Sequence, residues 1–154
     1  GGMIAQIVAA KNPDRVRSLI SVMSTTGAPH LPPPSGESSG VIEDLLNSDE
    51  ARRVELNARG VFPSALPRQF VAIRTTGDRT ELVKTIKAKT LVLHGEDDAL
   101  IPMAHGQYTA EVINDATFVS FKGMAHNLPK PTIPLFLDAV DTHISSVESA
   151  RSDS

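Results

Sequence analysis

The sequence predicts an α/β fold with a mostly parallel sheet and flanking helices, and three observations carry that expectation. Thr90 to His94 is a short apolar run of β-branched and aliphatic residues that stops at Gly95 and a string of acids. Thr117 to Phe121 is a second such run, stopped at Gly123. Between them, Met103 to Ile113 is long enough for one helix, and Asn114-Asp115 supplies its exit turn. A strand–helix–strand unit of this kind runs its strands parallel, because the crossover is right-handed in nearly all cases. Neighbouring parallel strands lie about 4.8 Å apart. The loops that follow them therefore open side by side on one rim.

Those two loops hold the candidate chemistry. The first carries Glu96, Asp97 and Asp98; the second carries His126. A carboxylate that orients an imidazole and fixes its tautomer is half of a nucleophilic triad. Counting alone does not separate Asp98 from Asp97 as the acid. His126 by itself also reads as a partly buried histidine ending a strand. Glu96 reads as a solvated turn acid, His94 as a strand residue packed in the interior, and His105 as the opening of the helix beside the acid loop. His30 and His143 read as exposed. No H-x-x-x-H or comparable spacing appears, so neither metal nor cofactor is expected.

From the start of the chain, Ile4, Ile7, Val8 and Ala9 sit at helical spacing, and Asn12-Pro13 ends that helix. Asp14-Arg15 is a short connection, and Val16 to Val22 is another apolar strand. Thr26 to Gly40 is rich in proline and turn residues and should stay irregular. Val41 to Gly60 places Leu45, Leu46, Val54 and Leu56 among acids and arginines, which fits one or two amphipathic helices. Ala65 to Thr76 reads as a helix with Phe70, Val71 and Ile73 inward. Asp78 is positioned to cap a helix through Ile86, with Leu82, Val83 and Ile86 on its buried face and Glu81 at the capping-box position. Thr132 to Val147 reads as a final helix with Phe136, Val140 and Ile144 on one face, before a polar, frayed end from Ser149 to Ser154.

Composition sets the bounds. With 154 residues, 40% hydrophobic and 21% charged, the chain is ordinary globular material with enough length for a core. A net charge of −3 gives no basic footprint for nucleic acid. The absence of cysteine excludes disulfides, thiolate catalysis and thiolate metal sites. No apolar run approaches the length of a membrane span, and a cytoplasmic address is the expectation. Gly1-Gly2 is open to two readings, an expression scar before an initiator Met3 or part of a longer motif.

At this point the residues resemble a known family. H-G-x-x-D followed by L-I-P, with G-x-x-H closing the next strand, resembles the acid and base loops of the α/β-hydrolase fold. The resemblance implies Asp98 as acid and His126 as base; Ala125 departs from the pattern, standing where many members have glycine. The opening, GGMIAQIVAAKNPDRVRSLISVMST, is similar to the segment that follows the nucleophile elbow: G-x-S-x-G-G, helix, N-P-x-R-V, strand. On that likeness residues 1–154 form a partial α/β-hydrolase domain, with 27–76 as a short lid or cap insertion, and the serine lies two positions upstream of Gly1. Ser24 also ends a strand on this rim, but it lacks the preceding glycine that the elbow turn requires.

The resemblance implies carboxylic-ester hydrolysis of a small-molecule ester through an acyl-enzyme, with the 154 residues inactive by themselves. The stretch G-M-A-H-N-L-P, with G-D-R-T before it, is most similar to aclacinomycin methylesterase-like esterases. Dehalogenases, perhydrolases, C–C hydrolases and lipases share the fold, and a non-catalytic binding module is the rival class. A sheet with an uncovered apolar edge should self-associate or require the absent N-terminal half.

Overall fold

The computed structural model describes residues 1–35, 50, 54, 55, 58 and 65–152. Its sheet has strands β1 (Ser18–Val22), β2 (Lys89–Gly95) and β3 (Ala116–Phe121), in that spatial order and all parallel. Val22 pairs with Leu93 across one ladder, and Gly95 pairs with Phe121 across the other. The helices are α1 (Gly2–Lys11), α2 (Ala65–Thr76), α3 (Thr80–Val83), α4 (Met103–Val112) and α5 (Ile133–Ser152), the last preceded by a 3₁₀ turn at Lys130–Thr132. β2 is central, and every residue from Thr90 to Gly95 is buried. That is why it reads as an unbroken apolar run and not as an alternating one.

The sheet is covered on both faces. On one, Ala9 of α1, Leu19 of β1, Val83 of α3, and Ile86, Ala88 and Ile113 form a cluster. On the other, Leu91, Leu93, Phe121 and Met124 meet Phe136, Ala139 and Val140 of α5, with the Phe121 and Phe136 rings 5.7 Å apart. Side chains alternate across a strand, and Leu91 and Leu93, two residues apart on β2, both serve the second cluster.

Several helix faces differ from the sequence expectation. In α1 the buried residues are Gln6 and Ala9, while Ile4 is 68% exposed and Val8 is also exposed. The rotation follows from what β1 offers: Gln6 Nε2 donates to Ser21 Oγ at 3.0 Å, and the small Ala5, Ala9 and Ala10 let the helix close on the strand. In α2, Val71 and Ile73 point outward, not inward; the Phe70 side chain lies outside the described residues.

Asp78 does accept from the Thr80 N–H at 2.8 Å, but Glu81 turns away from the cap to pair with Lys84 at 2.7 Å. α3 then ends at Val83, because the Thr85 and Ile86 amides bond three residues back, to Leu82 and Val83, and tighten the turn. Leu82 is half-buried, whereas Val83 and Ile86 are buried as expected.

In α5 the inner row is Phe136, Val140, His143 and Val147, and Ile144 is 44% exposed. Steps of four drift about 40° around a helix each time, so a second such step, to Ile144, leaves the face and a step of three, to His143, restores it. His143, read as exposed, is therefore buried at 6% exposure. Most of the stretch Val41 to Gly60 where helices are expected, and half of the lid at 27–76, lie outside the described residues; among those described, Val54 is exposed.

Candidate active site

The candidate site is assembled where β2 and β3 end. Gly95 closes β2 against the backbone of the second loop, with the carbonyls of Met124 and Ala125 where a side chain would begin. Two hydrogen bonds stitch the loops there: Glu96 N–H donates to the Phe121 carbonyl and Asp97 N–H to the Met124 carbonyl, each at 3.1 Å. Gly123 adopts a φ of +74°, a conformation that favours glycine, and so turns the chain out of β3. Met124 then plugs into the core and fixes the loop that carries His126.

Asp98 sits inside this frame. Its side chain is wholly buried, and Oδ1 accepts from the N–H groups of Leu100 at 3.0 Å and Ile101 at 2.8 Å. That leaves Oδ2, which lies 2.7 Å from Nδ1 of His126. A carboxylate only accepts, so Nδ1 carries the proton and Nε2 of the neutral ring keeps its lone pair. The His126 side chain is 31% exposed, and Nε2 has no hydrogen-bond partner among the described residues. A base anchored on one nitrogen and open on the other is suited to take a proton from a nucleophile. Asp97 and Glu96 are exposed, and Glu96 accepts the Ser120 hydroxyl at 2.8 Å. Of the two adjacent aspartates, Asp98 is the one brought to His126.

The other histidines have separate surroundings. His94 is fully buried beneath the acid loop, where Nε2 donates to the Ile101 carbonyl at 2.7 Å. Burial holds its pKa below the ordinary imidazole value, against the opposing pull of that hydrogen bond and of Asp98. His105 ties α4 to the loop after β1: Nε2 donates to the Pro32 carbonyl at 2.8 Å, and the Thr25 hydroxyl donates to Nδ1 at 2.7 Å. His30 is exposed and meets Tyr108 edge to face. Ser24 is buried against the start of α1, where a Cβ on Gly2 would come within 2.7 Å of its Oγ.

Two buried polar contacts leave no signal in the residue spacing. Arg79 is buried and donates through its guanidinium to the carbonyls of Thr25 and Gly77, both at 2.8 Å. A lone arginine after Gly77-Asp78 leaves no periodic signal, and its partner is fifty-odd residues away. The spacing gives His94 only as a packed strand residue, and nothing in it shows that the ring nitrogen reaches the acid loop. Among the described residues no cluster of His, Asp and Glu is arranged to hold a metal ion. No described helix is long and apolar enough to cross a membrane.

The parallel sheet covered on both faces, with an acid and an imidazole on adjoining strand tips, is the α/β-hydrolase fold. Comparison with solved structures places it beside a candidate lipase from Acinetobacter baumannii AYE, at a TM-score of 0.74 and 19% identity over 97% of this chain and 59% of that one. It is also similar to a meta-cleavage product hydrolase from Pseudomonas fluorescens IP01, at a TM-score of 0.70 and 21% identity over 95% of this chain and 62% of that one. Among curated proteins, a bifunctional esterase/perhydrolase from Acinetobacter calcoaceticus is 38% identical over 53 residues, 34% of this chain and 19% of that protein. The chain thus spans about three fifths of the solved structures it matches and a fifth of the curated relative. No family model matches the chain.

Proposed function

We propose that this chain is the part of a serine hydrolase that supplies the acid and the base for acyl transfer to water, with a carboxylic ester as substrate. The observation that carries the reading is the 2.7 Å contact between Asp98 Oδ2 and His126 Nδ1, with Nε2 open. The serine lies just ahead of Gly1 in this reading. It attacks the ester carbonyl as His126 Nε2 takes its proton, and Asp98 stabilises the imidazolium that forms. His126 then protonates the departing alkoxide and activates the water that releases the acid. The similarity to a protein named an esterase/perhydrolase supports ester chemistry.

Residues 27–76 form the lid in this proposal. Its support is that both ends of the segment leave from one place, with Arg79 N–H donating to the Thr26 carbonyl at 2.8 Å. The name of the curated relative also favours a second reading, perhydrolysis, in which hydrogen peroxide replaces water at the acyl-enzyme. The test is hydrolysis of a p-nitrophenyl ester. The 154 residues alone should show no saturable turnover, and the protein extended upstream through the serine should show it. Saturable turnover by the 154 residues, abolished by His126→Ala, would overturn the placement of the nucleophile.

A further inference from the structure

We infer that His94 is a positioning residue for the Asp98–His126 pair, acting through Ile101; the inference rests on the reading of that pair given above. Asp98 Oδ1 is held by the Ile101 N–H at 2.8 Å, and the carbonyl of the same residue accepts from His94 Nε2 at 2.7 Å. Ile101 is thus clamped at both of its polar groups, by the acid on one side and by the buried imidazole on the other. His94 Nε2 also lies 3.6 Å from Asp98 Oδ2, the oxygen that meets His126. That is too long for a hydrogen bond, but it leaves the positive end of an N–H dipole beside the carboxylate in a water-poor setting.

Packing alone does not account for a histidine here. Because Nε2 donates to a carbonyl, Nδ1 of the neutral ring carries no proton; it is buried with no partner, facing Gly106 of α4. An apolar side chain of similar size would fill the position without burying an unpaired nitrogen. Gly106 makes room for the ring, since a Cβ there would run into the imidazole. The feature that imidazole adds over an apolar ring is the donor aimed at Ile101. A buried donor that fixes the peptide next to the acid keeps the carboxylate in one rotamer, with Oδ2 turned to His126.

The experiment reads the Nδ1 proton of His126 by NMR in the 154-residue chain. Trapped against Asp98, this proton should give a low-field signal in slow exchange with water. In His94→Phe its exchange should quicken by about tenfold, the loss expected for one buried hydrogen bond. Gln and Asn supply a control at equal polarity: His94→Gln can reach the Ile101 carbonyl and should keep slow exchange, whereas His94→Asn is too short and should lose it. If His94→Phe does not fold, the Gln and Asn variants decide alone. Equal exchange in Gln and Asn, or an unchanged signal in a folded His94→Phe, would overturn the role of His94 while leaving the pair intact. Absence of the signal from the unsubstituted chain would instead overturn the pairing of Asp98 with His126, and this inference with it.

Discussion

Gly95, the last residue of β2, lies with its Cα against the carbonyl of Met124, so the acid loop and the base loop touch through backbone at a point where no side chain fits. The separation of Asp98 from His126 is set there, before either side chain is considered. Gly95→Ala should push the loops apart and cost about 1–3 kcal/mol of stability, the usual range for overpacking. Urea denaturation measures the cost, and the His126 Nδ1 proton should lose its slow exchange. A variant as stable as the parent, with the signal kept, would show that the loops are placed by other contacts.

Arg79 joins the two ends of the segment at 27–76. Its guanidinium reaches the carbonyls of Thr25 and Gly77, and burial lowers its pKa, partly offset by Asp78. Hydrogen bonds from a charged donor are worth about 1.5–3 kcal/mol each. Arg79→Ala should therefore destabilise the chain by at least about 2 kcal/mol. Arg79→Lys should recover little of it, since one ammonium cannot reproduce the planar fork. Urea midpoints for the two variants check this; a lysine variant equal to the parent would contradict it.

Acid should weaken the fold through two histidines. Burial holds His94 and His143 below the ordinary value of 6.5, and the Lys89 cation adds to the effect at His143. Both are kept neutral in the fold, so below about pH 6.5 the unfolded chain binds more protons. Their contribution is complete above that pH and is lost as pH falls from about 6.5 toward the lowered folded-state values. The urea midpoint should drop between about pH 7.5 and pH 5.5, and His143→Gln should make that drop smaller. An unchanged midpoint in the parent would contradict the account.

The chain should self-associate. Among the described residues β1 has a sheet neighbour on one side only, and α1, which packs on it, turns Ile4 and Val8 outward one turn apart. An open strand edge beside an apolar row is a surface that seeks cover. Light scattering on a size-exclusion column should report species larger than a monomer that shrink with dilution, and Ile4→Lys with Val8→Lys should favour the monomer. A monomer at every concentration would count against this.

What the sequence disclosed and what it hid have physical causes. β2 was legible because burial on both faces makes a parallel strand a short apolar run, β3 because β-branched and aromatic residues fill a half-buried strand, and Gly95 and Gly123 stop them sharply. The pairing of the two loops followed from strand order alone, which needs no knowledge of rotamers. The choice between Asp98 and Asp97 did not, because adjacent carboxylates differ only in which one the turn directs inward, toward the amides of Leu100 and Ile101. Helix faces failed where a polar residue took an inner position, as Gln6 did through Ser21 and His143 did beside Val147. Hydrophobic periodicity cannot register a buried polar group whose partner is distant in sequence.

One kinetic comparison tests the pairing of Asp98 with His126 most directly, made on a protein extended upstream of Gly1 through the proposed serine. Hydrolysis of p-nitrophenyl acetate should fall in kcat by about 10⁴-fold on Asp98→Asn, because the amide no longer holds His126 in the productive tautomer. Asp97→Asn should leave kcat within about twofold of the parent, since that side chain is exposed and is not the carboxylate bonded to the imidazole. An Asp98→Asn enzyme with near-parental kcat, or an equal loss from Asp97→Asn, would contradict the assignment of acid and base.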